Sequence, residues 1–318
     1  MKKRKKINFF FIKKIINLLH NYLLEMGVSC PNETNALFKI LPSGTVVNKY
    51  IHAEFEEKFF AQGSFRYCYR GKIKNSKGDD ASTIDFPSGK CVVKVYKDGT
   101  YTQDYIIDFV GSQYAHNEAI LFNQIINIPD KLNFVLPYAG SVNILAGFKL
   151  FGLFKVSTSD ESKKYLSPDM KVAIEPYLAG TYIKFSSNTG YENPDFNAYI
   201  PAFSHFTWVH SRGTRVVMDV QGIFSNKRYY LTDPACQSLD QQFGNSDLGA
   251  MGLIKFLLCH RHNDICQNWK WIPMQFEGLL KAFNANSIKR TSFSFEHSKN
   301  IQKYTPIYIN LLKLINFD

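Results

Sequence analysis

The sequence predicts an α+β fold with a β-rich first lobe and a mixed second lobe. Three observations carry that expectation. Short β-branched and aromatic runs, split by turn residues, fill positions 45–155. One stretch at 103–127 interrupts them with an approximate helical stripe. From 171 onward, strand-like and helix-like segments alternate. The 318 residues, 45% of them hydrophobic, suffice for one large domain or two lobes with a real core, which excludes collagen-like, disordered and disulfide-stapled classes.

The elements follow in order. Residues 7–25 read as a basic amphipathic helix with Phe10, Phe11, Ile15, Leu18, Leu19 and Leu23 on its apolar side. The apolar run Ile7–Ile12 stops at Lys13-Lys14, too early for a signal core or a membrane span. Residues 1–27 are therefore taken as an extension, with a docking helix, a peripheral membrane contact or a true start at Met26 left open. Residues 28–275 form the main domain, with lobes at about 45–170 and 175–275, and 276–318 form a tail. In the first lobe, strands are expected at Thr45–Val47, Phe65–Tyr69, Cys91–Tyr96 and Phe134–Leu136, as one antiparallel sheet. The long helix carries Tyr105, Phe109, Tyr114, Ile120, Phe122 and Ile125 as its stripe and ends at Pro129. The second lobe has a strand at Val172–Ile174, a helix at 195–210, a strand at Arg215–Val220 and a helix at 248–259. The tail, with Tyr304, Tyr308, Leu311, Leu312 and Leu314, reads as a docking helix or a partner motif. A β-rich lobe with one long helix before a mixed lobe is the plan of a nucleotide phosphotransferase with a cleft between lobes.

Charge and cysteine usage narrow the partners. The formal charge is +11, but residues 1–14 hold +7 of it and residues 280–318 hold +4, so the stretch between them sums to zero. A nucleic-acid groove along the fold is not indicated. The basic end 1–14 instead suits an acidic surface or an anionic membrane. Six cysteines at 30, 68, 91, 236, 259 and 266 are too sparse for a disulfide framework and read as reduced thiols in an intracellular, cytoplasmic protein.

Three groups of residues can carry chemistry. Gly63-Ser64-Phe65-Arg66 forms a turn that lets backbone approach phosphates, and Val92-Val93-Lys94-Val95 places a cation among valines, pointing into the lobe interior and in need of an anion. A turn glycine and a snorkelling lysine explain the same residues. Asp219 ends an apolar strand, with Gln221 two residues on and so on the same face. Such oxygen ligands suit magnesium. Asp233 precedes Pro234 in a turn that can present a carboxylate to a hydroxyl. Finally His260, His262 and Cys266, with the distant His205, offer a zinc-type donor set, although histidines at such spacing also serve as core or surface polar groups.

Together these residues resemble the alpha-kinase family of atypical protein kinases. The resemblance spans roughly 60–270. It rests on the order of Gly63–Arg66, Val93-Lys94-Val95-Tyr96, Glu175-Pro176-Tyr177 with Gly180, Tyr182, Lys184, Asn188 and Gly190, Ala202–Thr207, Asp219–Gly222, Leu231–Pro234, Phe243-Gly244 with Leu248-Gly249, and His260–Cys266. It implies a two-lobed kinase-like fold stabilised by zinc, and an ATP-dependent kinase acting on Ser/Thr hydroxyls of a protein. By position, Lys94 would contact the nucleotide phosphates with Arg66 and Gly63 covering them. Backbone groups of Glu175 and Tyr177 would hold adenine, with Lys184 and Asn188 near the nucleotide. Asp219 and Gln221 would bind magnesium, Asp233 would be the catalytic aspartate, and His205, His260, His262 and Cys266 would bind zinc. Glu118 is the expected helix partner of Lys94.

Three departures from the family pattern stand out. His262 replaces the usual cysteine. Asp247 replaces an asparagine and is expected to add charge near the peptide substrate. The loop Gly222–Thr232 is longer. A zinc-stabilised pseudokinase or nucleotide-binding scaffold is the alternative.

Overall fold

The computed structural model describes residues 44–47, 52–63, 66–75, 77, 79–97, 105–142, 149–150, 154–155, 171–188, 191–196, 198–272, 297–315 and 317. The N-terminal extension, Ser64, Phe65, Gly190 and the first half of the tail lie outside the described residues.

Valine-, tyrosine- and phenylalanine-rich runs build the first body. Strands β1 (Gly44–Val47), β2 (His52–Gln62), β3 (Arg66–Lys74) and β4 (Lys90–Tyr96) lead into helix α1 (Tyr105–Ile125). Then follow β5 (Lys131–Phe134), β6 (Tyr138–Val142), the short pair β7 (Lys149–Leu150) and β8 (Phe154–Lys155), and β9 (Lys171–Pro176). The expected sheet is a closed barrel, in the order β1-β2-β3-β4-β9-β6 with β6 returning to β1. Closure leaves no sheet edge exposed. Ala53, Phe55, Tyr69, Val93, Val95 and Ile174 fill its interior. The sequence reading missed β2, whose register against β3 slips twice, at Phe55/Phe59 and Phe59/Ala61, and so blurs the period of two.

The second body contains β10 (Ile183–Lys184), α2 (Tyr199–His210), β11 (Arg215–Met218), β12 (Gln221–Ser225), β13 (Arg228–Thr232), β14 (Ala235–Ser238), α3 (Ala250–Cys259) and α4 (His297–Leu312). Helix α2 is mostly apolar and is buried from Ile200 to Trp208, with Ser204, His205 and Thr207 as the polar residues of that stretch. Two expectations change here. Helix α1 and strand β5 precede the barrel's last strands, yet they pack into the second body: Ala115, Ala119, Phe122, Leu132 and Phe134 share a core with Phe203, Val217, Leu231 and Cys236. Strand β5 also pairs in parallel with β13. The buried face of α1 is Ala115, Glu118, Ala119 and Phe122, where the two alanines admit close contact; Phe122 of the expected stripe lies on it, whereas Ile120 and Ile125 are exposed.

A third cluster joins Trp208, Val216, Leu253, Leu257 and Ile272 to Tyr304, Tyr308 and Leu311 of α4. The tail therefore docks, as its apolar spacing suggests. Among the described residues no helix is long and apolar enough to cross a membrane, and the five described cysteines form no disulfide with one another.

Candidate active site

Strands β11 to β14 form one long hairpin that changes sheets halfway. Its inner ladder pairs β11 with β14, ending at Met218 opposite Ala235. Its outer ladder pairs β12 with β13, beginning at Gln221 opposite Thr232. Asp219-Val220 and Asp233-Pro234 face each other at the break. Both aspartates adopt left-handed backbone, φ 54° and φ 50°, a conformation uncommon outside glycine and enriched at functional sites. The kink removes the alternation argument that put Gln221 on Asp219's face. Gln221 reaches the site regardless: its Nε2 donates to the Asp233 carbonyl at 3.3 Å and lies 3.5 Å from Asp219 Oδ2. Lys184 Nζ, from β10, approaches Asp219 Oδ1 to 2.8 Å.

Lys94 arrives from the barrel. The alternation of β4 sends Val93 and Val95 into the barrel core, so Lys94 faces the second body and not the lobe interior, a correction of the sequence reading. Across the ladder, Glu175 stands opposite Val92 and Lys94 opposite Ala173, which sets Lys94 and Glu175 on one face as diagonal neighbours. Lys94 Nζ is buried and donates to Glu175 Oε2 at 2.7 Å, Asp233 Oδ2 at 2.7 Å and Thr232 Oγ1 at 2.9 Å. Thr232 in turn donates to Glu175. Arg66 stands 3.5 Å from the other Asp233 oxygen. Burial works against the charge on Asp233, but the Lys94 and Arg66 cations outweigh it and hold the carboxyl below its ordinary value. For Lys94, burial is likewise outweighed by Asp233 and Glu175, and its pKa is raised.

Glu118 is not the partner of Lys94. It is tied to the second body, with His210 Nδ1 2.8 Å from its Oε2. Asp247 also departs from expectation. It is buried, and its carboxylate accepts the amides of Ser238, Phe243 and Gly249, so it organises a turn and presents no charge to a peptide. The Tyr177 amide donates to the Lys90 carbonyl at 3.1 Å and is occupied within the barrel, not free to take a base. Gly63 sits at the open turn between β2 and β3, where a Cβ would meet no atom. Asn188 lies in the loop after β10, outside the hydrogen-bonded group around Lys94. A narrow cleft lined by Arg66, Lys94, Tyr96, Phe109, Val172 and Ala173 opens under the barrel. The roles of Thr232 and of the Glu175 side chain escaped the sequence reading. The adjacency of Thr232 to Asp233 was the one available signal.

Behind the hairpin, the donor atoms of His205, His260, His262 and Cys266 lie within 4.8 Å of one another. Helix α2 delivers His205 and the segment after α3 delivers the rest. Cys266 Sγ is 3.6 Å from His260 Nε2 and 3.9 Å from His262 Nδ1, close to the N···S edge of about 3.5 Å that a tetrahedral zinc site requires. Burial, reinforced by neighbouring imidazoles, lowers the pKa of His205 and of His260 to about 3, so both are neutral, the form that binds metal. His205 Nδ1 is buried with no hydrogen-bond partner, while its Nε2 lies 2.8 Å from the Lys270 carbonyl. An inward nitrogen without a partner and an outward nitrogen already anchored fit a metal ligand.

A barrel packed on a mixed helical and sheet body, with a buried barrel lysine bonded to Asp233 of that body, defines the kinase class of fold. Within it, the chain belongs to the alpha-kinase family, whose model matches residues 61–266. It is 38% identical over 106 residues to alpha-protein kinase vwkA of Dictyostelium discoideum, covering 33% of this chain and 17% of that protein. Against myosin heavy chain kinase B of the same organism it is 29% identical over 209 residues, covering 65% and 24%. The solved structure of an alpha kinase from Entamoeba histolytica superposes with a TM-score of 0.52 at 27% identity, covering 68% of this chain and 77% of that one. The chain spans less than a third of the length of the curated relatives it matches.

Proposed function

We propose that the chain is an ATP-dependent protein kinase that transfers the γ-phosphoryl group to Ser or Thr hydroxyls of a protein in the cytoplasm. The observation that carries this reading is the convergence of Lys94 from the barrel with Asp233, Asp219 and Gln221 from the broken hairpin. Phosphoryl transfer asks a protein for positioning and charge, and this group supplies both. Asp219 and Gln221 would hold magnesium, which when bound offsets charge on the phosphates. Glu175 and Thr232 fix Lys94 at the mouth of the cleft, where it can pass from Asp233 to phosphate oxygens, with Arg66 beside it. That passage also removes the cation that depresses Asp233. Nucleotide binding thereby makes Asp233 a better acceptor for the Ser/Thr hydroxyl proton as the oxygen attacks in line. Gly63 would cover the phosphates, and Lys184 and Asn188 would flank the nucleotide.

His205, His260, His262 and Cys266 would hold zinc as a structural link between α2 and the segment after α3. The basic residues 1–14 would address an acidic surface or membrane.

The test is transfer of labelled phosphate from Mg-ATP to the chain itself or to a generic basic protein. Wild type is expected to transfer, and Asp233→Ala to lose at least about 100-fold while keeping its fold. Absence of transfer from metal-loaded wild type would overturn the enzyme reading. Nucleotide binding without transfer would identify a pseudokinase.

A further inference from the structure

A metal takes one nitrogen of each histidine it binds, and the other nitrogen, when buried, needs an acceptor. His205 meets this through the Lys270 carbonyl. His262 is exposed, so water serves it. His260 is different. Its Nε2 faces Cys266 on the metal side, while its Nδ1 is buried and has no hydrogen-bond partner. Metal on Nε2 forces the remaining proton onto Nδ1, which makes that atom a buried donor. The carboxylate facing it is Glu192, with Oε1 3.8 Å away, longer than a hydrogen bond but within ion-pair range. Glu192 and His260 line one small pocket with Ser186, Ser187, Ser204 and Cys259, so the carboxylate has room to close the gap.

We propose that Glu192 is a positioning residue of the zinc centre, its carboxylate accepting the His260 Nδ1–H when the metal occupies Nε2. This rests on the zinc reading above. The contact reaches further than the metal. The backbone of Glu192 pairs with that of Ser186 in an isolated antiparallel β-bridge, and Ser186 Oγ accepts the amide of Val220, next to Asp219. The Val220 carbonyl accepts the amides of Phe185 and Ser186 in return. Glu192 thus connects the metal centre to the segment that presents Asp219.

The experiment measures zinc affinity of the full chain by competition with a chromophoric chelator, in wild type, Glu192→Leu and Glu192→Gln. Glu192→Leu is expected to bind zinc about 10- to 100-fold more weakly. Glu192→Gln keeps an acceptor oxygen and should lose only a few-fold, a rescue that a merely space-filling role would not give. Should Glu192→Leu fail to fold, proton NMR of zinc-loaded wild type decides. A slowly exchanging downfield N–H resonance of His260 is expected, and its absence overturns the proposal. Tight zinc binding by wild type matched by Glu192→Leu overturns this proposal alone. A wild-type chain that takes up no zinc overturns the zinc reading with it.

Discussion

Lys94 holds the two bodies together at a single atom, since its ammonium nitrogen bonds to Glu175 in the barrel and Asp233 in the hairpin. Removing one partner of a buried pair leaves the other charge uncompensated. Lys94→Met is therefore expected to destabilise the fold by about 3 kcal/mol, and the double variant with Glu175→Gln to recover part of that loss, as read by urea denaturation. The pH dependence has a definite sign. The Asp233 pKa is depressed, so its contribution is present above the unfolded value near about 4 and is lost as pH falls through the folded one. The Lys94 pKa is raised, so its contribution is present below about 10 and is lost as pH rises through the folded value. The stability difference between wild type and Lys94→Met should accordingly be flat between about pH 5 and 9 and shrink in acid. A difference that grows below pH 4 would contradict the ion pair. Strand and turn context marked Lys94, Asp219 and Asp233 as candidates, and only the order of motifs that resembles the alpha-kinase family gave them their expected roles. The partner of Lys94 was not legible, because diagonal pairing across β4 and β9 joins residues 81 apart.

The broken hairpin sets both aspartates, and its local chemistry explains how. Asn226 and Lys227 at its tip have φ 49° and 57°, the signature of a type I′ turn whose twist matches the flanking strands. Gly222, at φ 152°, lies so close to the facing strand that a Cβ would fall 2.0 Å from the Tyr230 carbonyl oxygen. Two substitutions in this one element should act in opposite directions. Gly222→Ala is expected to cost about 2–4 kcal/mol or prevent folding, and to abolish phosphotransfer in whatever folds. Lys227→Gly removes a left-handed side-chain penalty and should raise stability by about 1 kcal/mol with activity unchanged, as thermal melts and the transfer assay would show. Helix α1 carries the opposite lesson for reading sequences. Phe122 of its expected stripe is buried but Ile120 and Ile125 are exposed, and Ala115 and Ala119 complete the buried face, because close approach to α2 and β14 favours small side chains that hydrophobicity alone ranks low.

At the scale of the molecule, the barrel, the hairpin body and the tail are connected through buried contacts. Helix α4 is fixed by Tyr308, whose hydroxyl accepts from Trp208 Nε1 and donates to the Gly213 carbonyl, both at 2.7 Å. Tyr308→Phe leaves both groups buried and unpaired and should lower stability by about 1–3 kcal/mol, with release of the tail detectable as faster proteolysis after residue 296. An unchanged melting midpoint would mean that the tail does not contribute to the body. The sequence by itself determined the order of chemical residues, the apolar spacing of the tail and the neutrality of the body between its basic ends, because these depend on local spacing and composition, while the structure showed that the tail docks. Tertiary structure decided the barrel closure, the transfer of α1 to the second core, the pairing of Lys94 with Glu175 and of Glu118 with His210, and the burial of Asp247. Each of those is a choice of partner across long stretches of chain. Many partners satisfy the same local pattern, and packing and register select among them.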